Sequence, residues 1–292
     1  MADHLERAAL STGVELDVQI TGDPQKPPII LLHGFPESHR TWRGIVPDLA
    51  RDHYVIAPDQ RGYARSTKPA GVENYTAGKI VADLFALADH LEIERFVLVG
   101  HDWGGAIAWA AALGRPDRVS KLVIINAPHP LVFQRTLIDD PAQREASQYI
   151  RDFRDARIGS RFSDVGLDEF FNTDFLNLVT TKISNREKEE YLEEWSQPGA
   201  MTSMLNWYRA SRIIVPAMEE SPSRPAFLDA PFPLTAMPVL VVWGISDKAL
   251  LPCQLAMRPY VPDLSIEQVD GGHFVPWENP RAVLDAMRRW RI

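Results

Sequence analysis

The sequence feature that most constrains the fold is a short turn that joins an apolar run to a helical pattern. Residues 96–99 are all apolar, which predicts a parallel strand buried on both faces. A helical pattern follows at residues 106–113. The turn between them reads Gly-His-Asp-Trp-Gly, with Asp102 at its centre. Because small residues allow a sharp turn, we expect this segment to hold the Asp102 side chain above the edge of a sheet.

The central residue of such a turn decides its chemistry. In esterases this strand–turn–helix unit, the nucleophile elbow, presents a serine, whereas here it presents Asp102. A carboxylate is already ionised at neutral pH, so it can displace a leaving group from saturated carbon and form an ester on the enzyme. Water must then cleave that ester. The expected substrates are epoxides or alkyl halides, and the alternative is that Asp102 only caps the following helix.

Composition excludes several classes of protein. The 292 residues, 45% of them hydrophobic, suffice for one large core with an insertion. A formal net charge of −8 without a basic block argues against nucleic acid as a partner. The single cysteine, Cys253, rules out an internal disulfide framework. With no signal peptide or membrane-spanning run in the sequence, we expect a cytoplasmic protein, and the sequence leaves open whether it is a monomer or a homodimer.

Strand and helix patterns alternate on both sides of a central region that lacks a strong strand signal. Residues 5–10 and 14–20 predict an antiparallel hairpin at a sheet edge. Apolar runs predict buried strands at residues 28–32, 54–57, 96–99, 119–125, 239–242 and 265–269. Helices are expected at residues 39–49, 76–91, 106–113, 253–257 and 280–290. This alternation predicts an α/β fold with a mostly parallel, doubly wound sheet.

The central region, residues 131–234, is predicted to be a helical lid inserted in a core domain of residues 1–130 and 235–292. Helical patterns broken by proline and glycine occur near residues 141–154, 168–172, 185–195 and 200–210. Reacting groups of such sheets lie at the carboxyl ends of the strands, where an insertion can cover them. Aromatic side chains in the lid predict an apolar pocket: Phe133, Phe153, Phe162, Phe170, Phe171, Phe175, Trp195 and Trp207.

Two residues that follow late strands complete the expected catalytic set. A nucleophile elbow predicts an acid and then a histidine later in the chain, each just after a strand. Asp247 and His273 occupy these positions. We expect His273 to deprotonate the water that attacks the ester, and Asp247 to hold the imidazole tautomer. Asp270 is the alternative acid, and a histidine after a strand can also be purely structural.

Backbone N–H groups are expected to stabilise the negative charge that develops when water attacks the ester carbonyl. One is the N–H of Trp103, next after the nucleophile, and the other is the N–H of Phe35, in the loop after the strand at residues 28–32. Phe35 and Trp103 are also expected to contact the substrate. The Phe35–Pro36 bond is a candidate cis peptide.

These motifs resemble those of the soluble epoxide hydrolases, which have the α/β-hydrolase fold, over most of the chain. His-Gly-Phe-Pro at residues 33–36 resembles that family's H-G-x-P oxyanion-hole motif, and residues 59–63 and 100–105 resemble its next loop and its elbow. The resemblance implies two lid tyrosines that donate to the epoxide oxygen. Residues 205–209 closely resemble the motif of one, which gives Tyr208. Tyr149 begins a Tyr-x-x-x-Phe pattern, although residues 156–159 replace the usual Pro-Gly stretch.

The implied function is conversion of epoxides to vicinal diols, with a small apolar epoxide and water as the partners. A phenol with a pKa of about 10 can protonate the alkoxide at pH 7 without having ionised beforehand. Alternatively, the two tyrosines only pack the lid. No metal-ligand spacing or phosphate loop is present, so no cofactor is expected.

Two other functions share the features described above. Haloalkane and haloacetate dehalogenases carry the same aspartate elbow. Haloalkane dehalogenases frequently have an asparagine where this chain has Phe35, and haloacetate dehalogenases typically carry an arginine after the nucleophile, where Trp103 and Ala106 stand here. A ligand receptor on the same fold is the third alternative, against which the set of Asp102, Asp247 and His273 argues.

Overall fold

A computed structural model describes residues 2–155, 157 and 166–292. Within them, the strands are β1 (Ala2–Ala9), β2 (Glu15–Gly22), β3 (Pro28–Leu32), β4 (Tyr54–Pro58), β5 (Phe96–His101), β6 (Val119–Ile125), β7 (Val239–Gly244) and β8 (Leu264–Val269). They form one sheet in the order β1-β2-β4-β3-β5-β6-β7-β8. β2 pairs antiparallel with β1 and β4, and all other pairs are parallel. The predicted edge hairpin and mostly parallel α/β sheet are confirmed.

Both faces of the central strands are buried, which explains their continuously apolar sequences. In β3, Ile30 and Leu32 pack in the larger core cluster on one side of the sheet. Ile29 and Leu31 belong to a second cluster on the other side. None of these four side chains is more than 1% exposed. Alternating side chains therefore fill two hydrophobic layers, each closed by helices.

Eleven helices are present in the described part of the chain. They are α1 (Val46–Leu49), α2 (Ala77–His90), α3 (Trp103–Gly114), α4 (Pro130–Asp139), α5 (Pro141–Ala146), α6 (Tyr149–Arg154), α7 (Leu167–Phe170), α8 (Asn185–Trp195), α9 (Ala200–Ala210), α10 (Val275–Glu278) and α11 (Pro280–Arg289). Single 3-10 turns occur at His39–Trp42, Val72–Tyr75, Leu176–Leu178, Ala226–Leu228 and Pro252–Leu255, and a π-helical turn at Phe171–Phe175. No helix in these residues combines the length and apolar character that a membrane crossing requires.

The prediction of one continuous helix at residues 39–49 is wrong. The segment forms a 3-10 turn, His39–Trp42, and then the single turn of α1. Gly44 lies between them, and a Cβ atom there would come within 2.9 Å of the Pro280 side chain. Pro47 has no N–H to continue a helical hydrogen-bond ladder through this segment. The segment around Gly44 therefore packs closely against the start of α11 instead of forming part of one longer helix.

Three other expectations differ from the structure. The predicted helix at residues 141–154 is two helices, α5 and α6, separated at Ser147 and Gln148. Helix α4 has no counterpart among the predicted helices, and Pro130 occupies its first position, where no N–H is needed. The expected helix at residues 253–257 is only a 3-10 turn.

Side chains of helices α8 and α9 form hydrogen bonds with the loops at the carboxyl ends of β3 and β4. The Trp195 indole N–H donates to the Pro36 carbonyl at 2.7 Å, and the Trp207 indole N–H donates to the Arg61 carbonyl at 3.1 Å. The Tyr191 hydroxyl donates to the Glu37 carboxyl at 2.6 Å. These buried bonds fix two of the inserted helices above the sheet edge at which the elbow lies.

The loop after β4 is held by a buried ion pair. Arg61 donates through Nε and Nη2 to the two carboxylate oxygens of Asp83 on α2, at 2.5 and 2.6 Å, and both side chains are 4% exposed. We expect Asp83→Ala to lower the free energy of unfolding by about 3 kcal/mol, because it leaves a buried guanidinium without its carboxylate. Urea unfolding followed by circular dichroism measures this loss.

Asp117→Ala is the matched control. Asp117 also receives two bonds from an arginine, Arg115, but this pair lies in solvent. Water replaces the lost partner there, so we expect little measurable change in stability. Equal losses in the free energy of unfolding for Asp83→Ala and Asp117→Ala would contradict the expectation that a buried ion pair contributes more to stability than an exposed one.

Candidate active site

Asp102 lies at the turn between β5 and α3 in a backbone conformation that few residues adopt. Its φ is 51° and its ψ is −122°, which lifts the side chain away from both elements. A Cβ atom at Gly100 would approach the Gly104 carbonyl oxygen to 2.5 Å, and one at Gly104 would overlap the Leu32 carbonyl. The flanking glycines are therefore required by close backbone approach, as the sequence of the turn predicts.

The Asp102 carboxylate is contacted by the loop after β3 and by His273. The backbone N–H of Phe35 donates to Oδ1 at 2.7 Å. The other oxygen, Oδ2, lies 3.6 Å from Nε2 of His273. Trp103 begins helix α3, so its N–H has no acceptor within the helix. The Phe35–Pro36 peptide is cis, as the sequence allows.

His273 connects Asp102 to a second carboxylate. Nδ1 of the imidazole lies 2.8 Å from Oδ2 of Asp247, and both residues are buried. An ionised carboxylate can only accept, so Nδ1 carries the hydrogen and Nε2 faces Asp102. Asp270, the alternative acid, is exposed at the end of β8. The structure thus places the His273 imidazole between the carboxylates of Asp102 and Asp247.

Tyr149 and Tyr208 pack edge to face against each other and line the same cavities as Asp102. Tyr149 is the first residue of α6 and Tyr208 lies near the end of α9, with ring centroids 6.1 Å apart. The Tyr208 ring packs edge-on against Phe35 and Trp103, with centroid distances of 5.2 and 5.1 Å. All of the predicted site residues therefore converge on one region.

Two cavities meet at this region, and Asp102, Tyr149 and Tyr208 line both. The larger has a volume of about 700 Å³ and includes Phe133 and Trp207 in a mainly apolar wall. The smaller, of about 270 Å³, is lined by Phe35, Phe153, Phe170 and Phe175, and reaches His273. Phe171 and Trp195 pack instead with Tyr191 in the core, and Phe162 lies outside the described residues.

Comparison with known proteins agrees with this architecture. Residues 27–280 match the family model described as the α/β hydrolase fold. The AB hydrolase superfamily protein YfhM of Bacillus subtilis is 36% identical, over 94% of this chain and 93% of that protein. The chain belongs to the α/β-hydrolase family. The fold implied by the resemblance of its motifs is confirmed.

Other relatives of this α/β hydrolase carry the name epoxide hydrolase. Epoxide hydrolase 3 of Xenopus tropicalis is 32% identical, over 95% of this chain and 74% of that protein. A solved structure described as one of the novel epoxide hydrolases in metagenomes from hot environments is 44% identical, with a TM-score of 0.94, and the match covers 100% of this chain and 99% of that one. The resemblance to this group of enzymes is confirmed.

Asn126 is a site residue of this α/β hydrolase that sequence reasoning missed. It follows β6 directly, is fully buried and has a φ of 40°. Its amide nitrogen donates to Oδ2 of Asp247 at 2.7 Å, while its amide oxygen accepts from the Gly244 N–H at 2.8 Å. The position after a strand was the available signal. Asn126 thereby fixes the carboxylate that orients the imidazole.

The Asp247 carboxylate of this α/β hydrolase is fully hydrogen-bonded. Oδ1 accepts from the N–H groups of Ala249 and Leu250 at 2.8 and 3.0 Å, and Oδ2 accepts from Asn126 and His273. Burial opposes ionisation of this carboxyl, but the charge and hydrogen bond of His273 outweigh burial and hold the pKa of Asp247 below its usual value. It therefore stays ionised at neutral pH.

The two carboxylates determine the charge of the imidazole. Burial disfavours protonation of His273, but the charges and hydrogen bonds of Asp247 and Asp102 outweigh burial and raise the pKa of His273 well above its usual value. The pKa of Asp102 is correspondingly lowered, against the opposing effect of burial. Burial is the main cause that lowers the pKa values of His33 and His101 to about 4, so these neighbours remain neutral at pH 7.

We expect Asp102→Asn to lower the pKa of His273, because the substitution removes one of the two negative charges that stabilise the imidazolium. The imidazole then loses its proton at a lower pH than in the wild-type protein. NMR titration of isotopically labelled histidines measures the shift, with His273→Gln identifying the resonance.

Asp270→Asn removes an exposed carboxylate three residues from His273 and serves as the control. Because solvent screens that charge, the titration of His273 should stay close to wild type in this variant. An unchanged pKa of His273 in Asp102→Asn would contradict direct coupling between the two groups.

Proposed function

We propose that this α/β hydrolase is an epoxide hydrolase, which adds water to an epoxide and releases a vicinal diol. The observation that carries the proposal is an ionised Asp102 carboxylate in the same cavities as the side chains of Tyr149 and Tyr208. A carboxylate suits attack on a strained carbon–oxygen bond, and phenols suit protonation of the oxygen that leaves. The names of the relatives support the same reaction.

In the first step, Oδ2 of Asp102 attacks one epoxide carbon. The carbon–oxygen bond of the ring breaks, and its electron pair stays on the oxygen. Tyr149 or Tyr208 donates a proton to that oxygen, so a neutral hydroxyl forms instead of an alkoxide. Burial raises the pKa of both phenols, which keeps them protonated before the substrate arrives.

Formation of the ester changes the charge of the site and prepares the second step. The esterified Asp102 is neutral, so His273 loses one of the charges that hold its proton. That proton returns to the ionised tyrosine through solvent, and the neutral imidazole becomes a base. Asp247 remains as the partner that keeps Nδ1 protonated and Nε2 free.

In the second step, His273 takes a proton from water and the resulting hydroxide attacks the Asp102 carbonyl carbon. Negative charge then develops on Oδ1, where the Phe35 N–H already donates and the Trp103 N–H is the second donor. Collapse of this intermediate breaks the ester bond. The carboxyl proton leaves with the diol oxygen, which regenerates the Asp102 carboxylate and the protonated His273.

The inserted helices supply the tyrosines and most of the aromatic lining. We assign residues 131–234 to a lid and residues 1–130 and 235–292 to the core domain. The lid limits access of water to the ester and presents a mainly apolar surface to the substrate. A small apolar epoxide such as styrene oxide is therefore a suitable first substrate.

We expect His273→Gln to accumulate the covalent ester with styrene oxide, because alkylation needs only Asp102 and the tyrosines whereas hydrolysis needs the base. Intact-protein mass spectrometry should show a mass increase equal to one substrate molecule, located on the peptide that contains Asp102. Diol formation by the wild-type enzyme is followed in parallel.

Asp102→Asn combined with His273→Gln is the control and should show no adduct. A wild-type enzyme that releases diol while His273→Gln never gains mass would contradict the two-step route. Halide release from haloalkanes without diol formation from any epoxide would instead favour a dehalogenase, although Phe35 offers no side-chain donor for a halide.

We expect the Tyr149→Phe/Tyr208→Phe double variant to slow diol formation by about a hundredfold or more, the usual contribution of a general acid. Each single variant should lose less, because the other hydroxyl still reaches the cavity. Pre-steady-state kinetics should place the loss in the alkylation step. Tyr54→Phe, a half-buried phenol on β4 that lines neither cavity, is the control for loss of a hydroxyl elsewhere; wild-type rates in the double variant would remove the tyrosines from the mechanism.

A further inference from the structure

One side of helix α6 binds the chain segment at and after the end of α9. Gln148, at the N-terminal boundary of α6, Arg151 and Arg154 recur at intervals of three residues, so their side chains lie on the same side of the helix. The first two donate to backbone carbonyls of residues 215–216, at 3.0 and 2.8 Å. Nε of Arg154 donates to the Tyr208 carbonyl at 2.9 Å. Of the three side chains, Arg154 is therefore the one whose bond reaches a residue of the proposed reaction.

The opposite side of α6 carries aromatic rings that pack against the Tyr208 side chain. Tyr149 and Phe153 are four residues apart, which places them together on the side of the helix away from the three donors. Ring centroids lie 5.0 Å apart for Phe153 and Tyr208, and 6.1 Å apart for Tyr149 and Tyr208. Helix α6 thus contacts Tyr208 twice, through its ring and through its backbone.

Arg154 binds the end of α9 with more than one nitrogen. The Tyr208 carbonyl belongs to the last turn of α9, where carbonyl groups have no N–H partner within the helix. It accepts from Nε of Arg154, while Nη2 donates to the carbonyl and the hydroxyl of Ser211, each at 3.3 Å. A cation is also favoured at the C-terminus of a helix. The planar guanidinium therefore fixes both the distance and the direction of α9 relative to α6.

Arg154 itself is separate from the reacting groups. It lines neither of the two cavities, whereas Asp102, Tyr149 and Tyr208 line both. Arg154 can therefore act on the reaction only through the groups that it holds. A general acid must lie within hydrogen-bond distance of the oxygen that it protonates, and a displacement of about 1 Å can cost roughly a hundredfold in rate. The spacing of α6 and α9 thus matters for both phenols.

On these grounds, and resting on the proposed function, we propose that Arg154 is a positioning residue for the two proton donors. Its bond to the Tyr208 carbonyl, made from the helix that carries Tyr149, holds the two phenols at a spacing at which both reach the oxygen of one epoxide. Opening of the epoxide ring depends on this spacing. Hydrolysis of the ester does not, because His273 and the Phe35 N–H act in that step.

The kinetic test uses Arg154→Met, which keeps a long side chain but removes its donors. In the His273→Gln background, where the ester forms and is not hydrolysed, we expect the adduct with styrene oxide to form about tenfold more slowly. Arg154→Lys keeps the charge and a donor at the end of α9, so it should lose less, and it is the variant to use if Arg154→Met does not fold. With His273 intact, single-turnover experiments should show wild-type decay of the ester in Arg154→Met.

Arg151→Met is the matched control, because it removes a guanidinium that binds Val215 from the same side of α6. It should leave the rate of alkylation close to wild type. The decisive comparison repeats Arg154→Met in Tyr208→Phe, where the phenol to be positioned is missing and no further loss is expected. Equal slowing by Arg151→Met and Arg154→Met, or the same loss with and without the Tyr208 hydroxyl, would overturn the inference and leave the proposed function intact.

NMR of the protein without substrate separates the two proposals. The tyrosine rings are isotopically labelled, and Tyr149→Phe and Tyr208→Phe identify their signals. The nuclear Overhauser effect between the two rings should weaken in Arg154→Met and persist in Arg151→Met. Unchanged ring signals in Arg154→Met would refute its role even where no diol forms. Altered ring signals in a protein that converts no epoxide to diol would refute the proposed function alone.

Discussion

The structure depends on the position of one carboxylate, that of Asp102. Its backbone is held in a conformation that costs about 1–3 kcal/mol and persists only because the surroundings determine it. Three glycines make this possible: Gly100 and Gly104 allow close backbone approach, and a Cβ atom at Gly34 would overlap Asp102 itself. β5 pairs with β3 on one side and with β6 on the other, and this pairing holds the strained turn in place.

The same carboxylate is one part of an electrostatic unit that includes His273 and Asp247. Two anions around one imidazole favour its cationic form, and loss of one anion favours its neutral form. In the proposed mechanism, formation of the ester on Asp102 therefore changes the basicity of His273 without a large movement. Asn126 and the N–H groups of Ala249 and Leu250 keep Asp247 ionised and stationary throughout.

The parts of this site that sequence alone predicted are those set by strand position. Asp102, Asp247 and His273 each follow an apolar run, and parallel strands bring their carboxyl ends to one edge. Asn126 also follows an apolar strand, but its role depends on hydrogen bonds with the distant residues Gly244 and Asp247, which its position alone does not reveal. The prediction of one continuous helix at residues 39–49 is wrong for the same reason, since this segment is interrupted where Gly44 packs against Pro280.

The loop of residues 35–37 joins the chemistry of the core to the position of the inserted helices. The Phe35 N–H binds Asp102, the Pro36 carbonyl binds Trp195, and Glu37 binds Tyr191. Ion pairs of Arg40 with Glu190 and of Arg43 with Glu187 continue this contact along α8. The position of α8 is therefore tied, within two residues, to the N–H group that binds Asp102. In the proposed mechanism this N–H group stabilises the ester carbonyl, so a substitution on α8 would act on hydrolysis of the ester through this loop, without touching the substrate.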